Sequence, residues 1–314
     1  MPRNIVLGLG SRDASDEMPQ NAMKPAAFEY DSPDHIDEVL ELLAEHGDEA
    51  RVLAGGQSLV PLMNYRLARP ARLIDLNRVH ELAYIEEDDV GIRVGAMSRQ
   101  RTLEHSVVLR ERCSLITQAA PWIGHAQIRN RGTIGGSMSH ADPAAELPVV
   151  ARALDAKFLL SSASGERWID AEEFFVSFLT TAAQTTELLR EIVFPILPDR
   201  SATAFLEYAR RHGDFALGGA AAVITLDVGS DVCRQARISL LGAGPIPERA
   251  SSAEAILVGR VIDEVAIGEA TEAIEASIEP TGDMHGDSEY RCGLIGTLAG
   301  NAVAEANAKV VTSR

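Results

Sequence analysis

Apolar residues at Ile36, Val39, Leu40, Leu42 and Leu43 recur at the three- and four-residue spacing of a surface helix. That spacing predicts a helix over 36–46, opened by Ser32-Pro33 and ended at Gly47. The run Arg51-Val52-Leu53 predicts a strand leading straight into Ala54-Gly55-Gly56-Gln57-Ser58, followed by a helical stretch through Leu67 and a second strand over 72–76. A hairpin is expected over 82–97, with the acidic turn Glu86-Glu87-Asp88-Asp89 and with Ile92 and Val94 alternating on the return. Ser98 is placed to cap a helix through Leu109, and another helix is expected over 114–123. Thr133-Ile134-Gly135-Gly136-Ser137 reads as a second glycine turn at the end of a strand, and Pro143 opens a helix over 144–154.

Further on, 157–160 and 167–169 pattern as a hairpin, and 188–194 as a buried strand stopped by Pro195 and Pro198. Those prolines mark the main domain boundary. Beyond them β-rich runs at 205–210, 216–228 and 236–241 precede helical patterns at 252–258, 263–278 and 289–309. The order predicts a small α/β layer followed by a compact α+β domain with helices on one sheet face.

The chain's 314 residues suit two domains at roughly 150 residues each, or one large α/β unit. Its 46% hydrophobic and 24% charged residues match an ordinary globular protein. Acidic residues exceed basic ones by 46 to 29, a formal charge of −17, which argues against nucleic acid as a partner. Lysine occurs only at Lys24, Lys157 and Lys309, so the cations are almost all arginine. Cys113, Cys233 and Cys292 are too dispersed to hold zinc or an iron–sulfur cluster, and reduced thiols in a cytoplasmic protein are expected. No apolar run reaches the roughly 18 residues of a membrane span. Residues 1–23 lack the apolar segment of a signal peptide and read as a mobile tail.

Two glycine pairs stand out, Gly55-Gly56 and Gly135-Gly136, each flanked by small hydroxyl or amide side chains. A glycine turn can present several backbone N–H groups to an anion such as a pyrophosphate, because no Cβ obstructs close approach. Taken alone, either pair reads more readily as a plain strand-to-helix turn. Neither matches GxGxxG or a GK[ST] loop. Arg129 and Arg131 bracket the second pair, and Arg66, Arg69 and Arg72 follow the first; they read either as local positive charge for an anion or as solvated surface partners of carboxylates. No HExxH or GxSxG pattern is present. His140 and Asp142 lie beside the second pair as supporting candidates, and Tyr208 reads either as a packing surface for a planar ring or as half-buried structure.

The ordered set Ala54-Gly55-Gly56-Gln57-Ser58-Leu59-Val60-Pro61, Thr133-Ile134-Gly135-Gly136-Ser137 and Ala141-Asp142-Pro143-Ala144-Ala145-Glu146-Leu147-Pro148 resembles the FAD-binding medium subunit of molybdenum hydroxylases. This family includes carbon monoxide dehydrogenase and the flavin part of xanthine dehydrogenase. The resemblance extends through Val94-Gly95-Ala96-Met97, Arg210-Arg211-His212-Gly213-Asp214-Phe215-Ala216 and Glu289-Tyr290-Arg291. It implies an α+β chain: an FAD-binding domain of the vanillyl-alcohol-oxidase (PCMH) type over 24–198, made of two α/β subdomains (24–78 and 79–198), then a carboxy-terminal α+β domain over 199–314. By position, Ala54, Gly55, Gly56, Gln57, Ser58 and Leu59 with Thr133, Ile134, Gly135, Gly136 and Ser137 would hold the FAD pyrophosphate and ribityl chain. His140 and Asp142 would support them, Glu146 would replace a cofactor-contacting aspartate, and Ile123 and Leu189 would lie near the ring. Ser137 stands where many members carry asparagine, and a lysine found near the flavin in xanthine dehydrogenase has no counterpart at Leu206 or Glu207.

The resemblance further implies a large molybdopterin-binding subunit that oxidises the substrate, an N-heterocycle, aldehyde or similar small molecule. A small subunit with two [2Fe–2S] clusters would pass the electrons on, and an external acceptor would take them from this chain. Two other readings of the same loops stand beside it: a stand-alone flavin-dependent oxidoreductase, and a nucleotide-binding regulatory module without redox chemistry.

Overall fold

The computed structural model describes residues 23–312. Of the expected tail only Met23, an exposed residue, falls among them. Three main sheets follow one another along the chain. The first is parallel, with Arg72–Asp75 between Glu29–Asp31 and Ala50–Leu53. The helix Ile36–His46 covers it and buries Ile36, Val39 and Leu43, the stripe its spacing predicts. The pattern gives no sign of Glu29–Asp31, which has no apolar alternation. Side chains hold it instead: Arg72 pairs with both Glu29 and Asp31, and the Tyr30 hydroxyl donates to Asp75 Oδ2 at 2.5 Å. The helix after the first glycine pair, Leu59–Asn64, is shorter than expected, because the chain turns at Arg66 with φ 59°.

The second sheet is antiparallel, in the order Ile85–Glu87, Ile92–Gly95, Leu188–Phe194, Lys157–Ser162, Gly165–Asp170. Both expected hairpins form its flanks, and the buried strand 188–194 lies at its centre. Ser98 does not cap the helix that follows. Its hydroxyl donates to the Tyr84 carbonyl at 2.8 Å, and the expected helix is split into Gln100–His105 and Val107–Arg112. The cap is Ser106, whose Oγ accepts from the Leu109 amide at 3.3 Å. The helix expected from Ala144 starts at Glu146, since Asp142 Oδ1 accepts from the Ala144 amide at 2.9 Å and turns the chain there.

The third sheet is antiparallel, running Ser201–Tyr208, Gly218–Leu226, Cys233–Leu241 and the short Glu248–Arg249. Its first strand begins four residues ahead of the expected start at Phe205. The helices Ser251–Leu257, Glu264–Glu275 and Ser288–Thr312 pack on one face, burying Ala204, Ala220, Ala222, Ile224, Ile238 and Leu240. The other face packs on the helices of the second unit. There Phe205, Ala221, Val223 and Leu241 join the core of that unit, and Ser114 Oγ and Gln118 Nε2 reach Thr203 Oγ1 at 3.0 and 2.9 Å. All nine residues of Gly218–Leu226 are buried, as a strand covered on both faces must be.

Candidate functional site

The strand Ala50–Leu53 delivers the first glycine segment to the boundary between the first two sheets. Gly56 takes φ 73°, a conformation in which a side chain is strained, and this turns the chain into the helix Leu59–Asn64. The backbone N–H groups of Gly55, Gly56, Gln57 and Ser58 donate to nothing among the described residues. Gln57 and Ser58 are exposed, and the Gln57 amide folds back to donate to the Gly55 carbonyl at 3.0 Å.

Gly55 abuts the second glycine segment. A Cβ there would lie 2.4 Å from the Arg131 carbonyl oxygen and 2.8 Å from Gly132 Cα. Fold and sequence thus bring the two segments together, with Gly136 facing Ala54. The second pair does not end a strand, however. Gly135 and Gly136 lie in the first turn of the helix Ile134–His140, and only an isolated bridge between Arg99 and Thr133 precedes it. All four N–H groups of this turn are committed: Ile134 to Ser98 O at 3.0 Å, Gly135 to Ala96 O at 2.8 Å, Gly136 to Thr133 Oγ1 at 3.1 Å and Ser137 to Thr133 O at 3.2 Å. The turn offers room and side chains, not amide donors.

Two side chains that no motif announces tie the segments together. Asn77 Nδ2 donates to the Ala54 carbonyl at 3.1 Å. The Arg99 guanidinium donates to Asn77 Oδ1 at 2.6 Å and to the Arg131 carbonyl. Burial and the neighbouring Arg131 guanidinium lower the Arg99 pKa from its usual value. Of the arginines singled out by sequence, Arg66 and Arg69 donate to the Lys24 and Arg66 carbonyls, and Arg72 is held by carboxylates. Arg129 is buried against Glu104 at 2.9 Å and the carbonyls of Ile123 and Gly124. Arg131 remains exposed and makes no ion pair among the described residues. Asn77 lies just beyond Asp75, whose Oδ1 accepts from its amide at 2.8 Å; an Asx turn of this kind was the only local signal for it.

Ser137, His140, Asp142 and Glu146 follow as half-buried polar side chains. Glu146 opens the helix Glu146–Ala153 with its carboxyl pushed up to about 7, by burial first and then by Asp142, against the opposing effect of Arg129. Glu207, which sequence did not single out, is 7% exposed on Ser201–Tyr208, and burial together with Glu146 pushes its carboxyl up to about 9. Ile123 and Leu189 are packed into the core of the second unit, so each can offer little surface to a ligand. Tyr208 stands exposed at its strand end. A cleft of about 660 Å³ lies behind Asn77 and Arg99, lined also by His80, Tyr84, Ser98 and His105; no glycine of either pair lines it. Among the described residues there is no group of His, Cys, Asp and Glu able to hold a metal, and no helix long and apolar enough to cross a membrane.

Residues 26–197 match the family described as "FAD binding domain in molybdopterin dehydrogenase", and residues 203–306 match "CO dehydrogenase flavoprotein C-terminal domain". The chain is 44% identical over 284 residues to the 6-hydroxypseudooxynicotine dehydrogenase complex subunit alpha of Paenarthrobacter nicotinovorans, covering 90% of this chain and 96% of that protein. It is 37% identical over 290 residues to the caffeine dehydrogenase subunit beta of a Pseudomonas species, covering 92% and 98%. Its structure matches carbon monoxide dehydrogenase from Hydrogenophaga pseudoflava with a TM-score of 0.88 at 35% identity, over 91% of this chain and 99% of that one. Quinoline 2-oxidoreductase from Pseudomonas putida matches with a TM-score of 0.86 at 34% identity, again over 91% and 99%. With both of its domains matched in order and relatives covered nearly end to end, the chain belongs to the FAD-binding subunits of the molybdenum hydroxylases, a family of oxidoreductases.

Proposed function

We propose that this chain holds one FAD across its two glycine segments and relays electrons. They arrive from [2Fe–2S] clusters in a small partner subunit and leave to an external acceptor, while a large molybdopterin-binding subunit oxidises an N-heterocycle, aldehyde or similar small molecule. The observation that carries the reading is the run of four N–H groups at Gly55, Gly56, Gln57 and Ser58 without a protein partner. Consecutive amides without a protein acceptor can form an anion cradle, and Arg99 and Arg131 add cations beside it in a chain whose formal charge is −17. A pyrophosphate fits both features. FAD would supply the redox chemistry; binding, orientation and electrostatic tuning fall to the protein. In that division, Gly55 to Ser58 and Arg99 hold the phosphates, Asn77 and Arg99 fix the two segments against each other, Thr133 caps the second segment's helix, and Ser137 and His140 line the way toward the ring. Nicotine 6-hydroxylase and caffeine dehydrogenase among the relatives favour a nitrogen heterocycle as the substrate of the complex.

Acid or heat denaturation is expected to release free FAD, since no histidine or cysteine lies in either glycine segment to attach it. Mixed with its molybdenum and iron–sulfur partners and a substrate, the chain's flavin band is expected to bleach. Reduction of the isolated chain by an organic substrate at the rate of the complex would place substrate oxidation here and favour a stand-alone oxidoreductase. A colourless protein that takes up no FAD would refute the reading altogether.

A further inference from the structure

Among the described residues, Glu207 is a buried carboxyl without a cationic partner. Thr203, Phe205 and Glu207 share one face of the strand Ser201–Tyr208, because alternate side chains point the same way. Thr203 bonds Ser114 and Gln118, and Phe205 joins the core of the FAD-binding domain, so that face looks into the seam between the two domains. Glu207 is therefore aimed into the seam, and its Oε2 is fully buried with no hydrogen-bond partner. Glu191 shows what a buried carboxylate otherwise needs. It is 2% exposed, pairs with Arg93 at 2.7 Å and accepts from the Tyr84 hydroxyl.

Across the seam stands Glu146, the end of the half-buried polar run that begins at Ser137. The register places Glu207 level with Gly219 and Leu241, and the next residue, Gly242, donates its N–H to the Pro143 carbonyl at 3.0 Å. This ties the turn before Glu146 to the same end of the sheet as Glu207. Asp142 and Arg129 are the other charged groups that face Glu146, and Arg129 is committed to Glu104. Of the cations on the surrounding elements, Arg237 pairs with Asp155, Arg291 with Asp283 and the Leu217 carbonyl, Lys309 with Glu305 and the Thr203 carbonyl, and Arg152, at the far end of the Glu146 helix, lies 4.0 Å from Glu172. At the rim, the His125 ring packs against Gly213, and Trp122 lies 6.2 Å from His212.

We propose that Glu146 and Glu207 form a carboxyl pair holding a proton at the domain seam, and that this pair is the acid–base group of the flavin pocket. The proposal rests on the cofactor reading above. An isolated ionised carboxylate in such a place costs far more than a neutral one, so the buried partnerless oxygen belongs to a protonated acid near neutral pH. Two carboxyls whose environments separate their affinities for protons provide one group that is held protonated and one that exchanges. Two-electron reduction of the flavin by the partner's iron–sulfur clusters consumes at least one proton. The protonated carboxyl gives that proton up, is left as a carboxylate, and is refilled from solvent.

The test uses the full chain loaded with FAD, as wild type, Glu146→Gln, Glu207→Gln and the double variant. Glutamine mimics the neutral acid in shape, so folding is expected to survive. The visible flavin spectrum is followed from pH 5.5 to 9.5, together with the rate of flavin reduction by dithionite. Wild type is expected to show transitions near pH 7 and near pH 9, as apparent values of the pair. Each single variant should keep one transition and the double variant none, with reduction slowed at least tenfold. A second readout needs no flavin. A carboxyl whose pKa is raised on folding keeps protons that the unfolded chain has lost, so the apoprotein should lose stability as pH rises from about 5 to 9, and Glu207→Gln should flatten that loss. Flavin-loaded wild type without a spectral transition, or one unchanged in the double variant, overturns the pair alone. Wild type that binds no FAD overturns the cofactor reading and the pair's role with it, even where the apoprotein titrates.

Discussion

The two glycine segments share a Gly-Gly pair and a serine and meet at one place, yet they are built in opposite ways. In Ala54–Ser58 a positive φ at Gly56 leaves four consecutive N–H groups open. In Thr133–Ser137 the glycines sit in a helical turn whose N–H groups are all taken, by Ser98, Ala96 and the Thr133 cap. The first segment needs glycine for its conformation and for approach to the neighbouring backbone. The second needs it for packing, since a Cβ on Gly135 would sit 2.5 Å from the Ala96 Cβ. Similar composition therefore does not imply similar work: one segment is a donor surface and the other is the platform that braces it.

The strongest way to break this contrast is Gly55→Val. Its Cβ would meet the Arg131 carbonyl at 2.4 Å, backbone that cannot rotate aside. A loss of about 3 kcal/mol is expected, the upper part of the range for overpacking, visible as a lowered thermal midpoint with flavin lost in parallel. Next comes Arg99→Gln, which removes a cation and the link from Asn77 to Arg131. Flavin binding should weaken by roughly 1.5–3 kcal/mol, tenfold or more in Kd by fluorescence quenching, with the fold largely kept. An unchanged Kd would remove Arg99 from the site. Gly56→Ala should cost about 1–2 kcal/mol from its left-handed conformation and reduce flavin content. Gly136→Ala should have the smallest effect. Its Cβ crowds Thr133 Oγ1 at 2.9 Å and disturbs a cap worth about 1 kcal/mol, while alanine's better helix propensity offsets a similar amount. Flavin occupancy should stay at the wild-type level in excess FAD; an empty site in this variant beside a full one in Gly56→Ala would invert the comparison.

Sequence made the periodic parts of the fold legible. The helix Ile36–His46 and the strand Leu188–Phe194 form where expected because burial follows a regular spacing, and the ordered motifs carry the family. What sequence could not separate was the two glycine pairs, because the difference lies in acceptors at Ala96 and Ser98, some 40 residues earlier in the chain. Ser98 and Ser106 are equally good caps by composition, and only the Tyr84 carbonyl decides between them. Asn77 and Arg99 carry no motif, and folding alone brings them to the cradle. At Glu207 the sequence shows only that a lysine is missing, whereas folding buries the acid that stands there without a partner.

The strand Gly218–Leu226 has a consequence for how the chain comes apart. It is buried on both sides, by its own helices and by the FAD-binding domain, and Phe205, Ala221, Val223 and Leu241 belong to the larger core of that domain. Neither part can open without exposing apolar surface of the other, so the two should melt as one cooperative unit instead of as separate domains. Amide hydrogens along Gly218–Leu226 should then exchange only through global opening, at the slowest rate in the protein, and binding of FAD should slow them further by mass action.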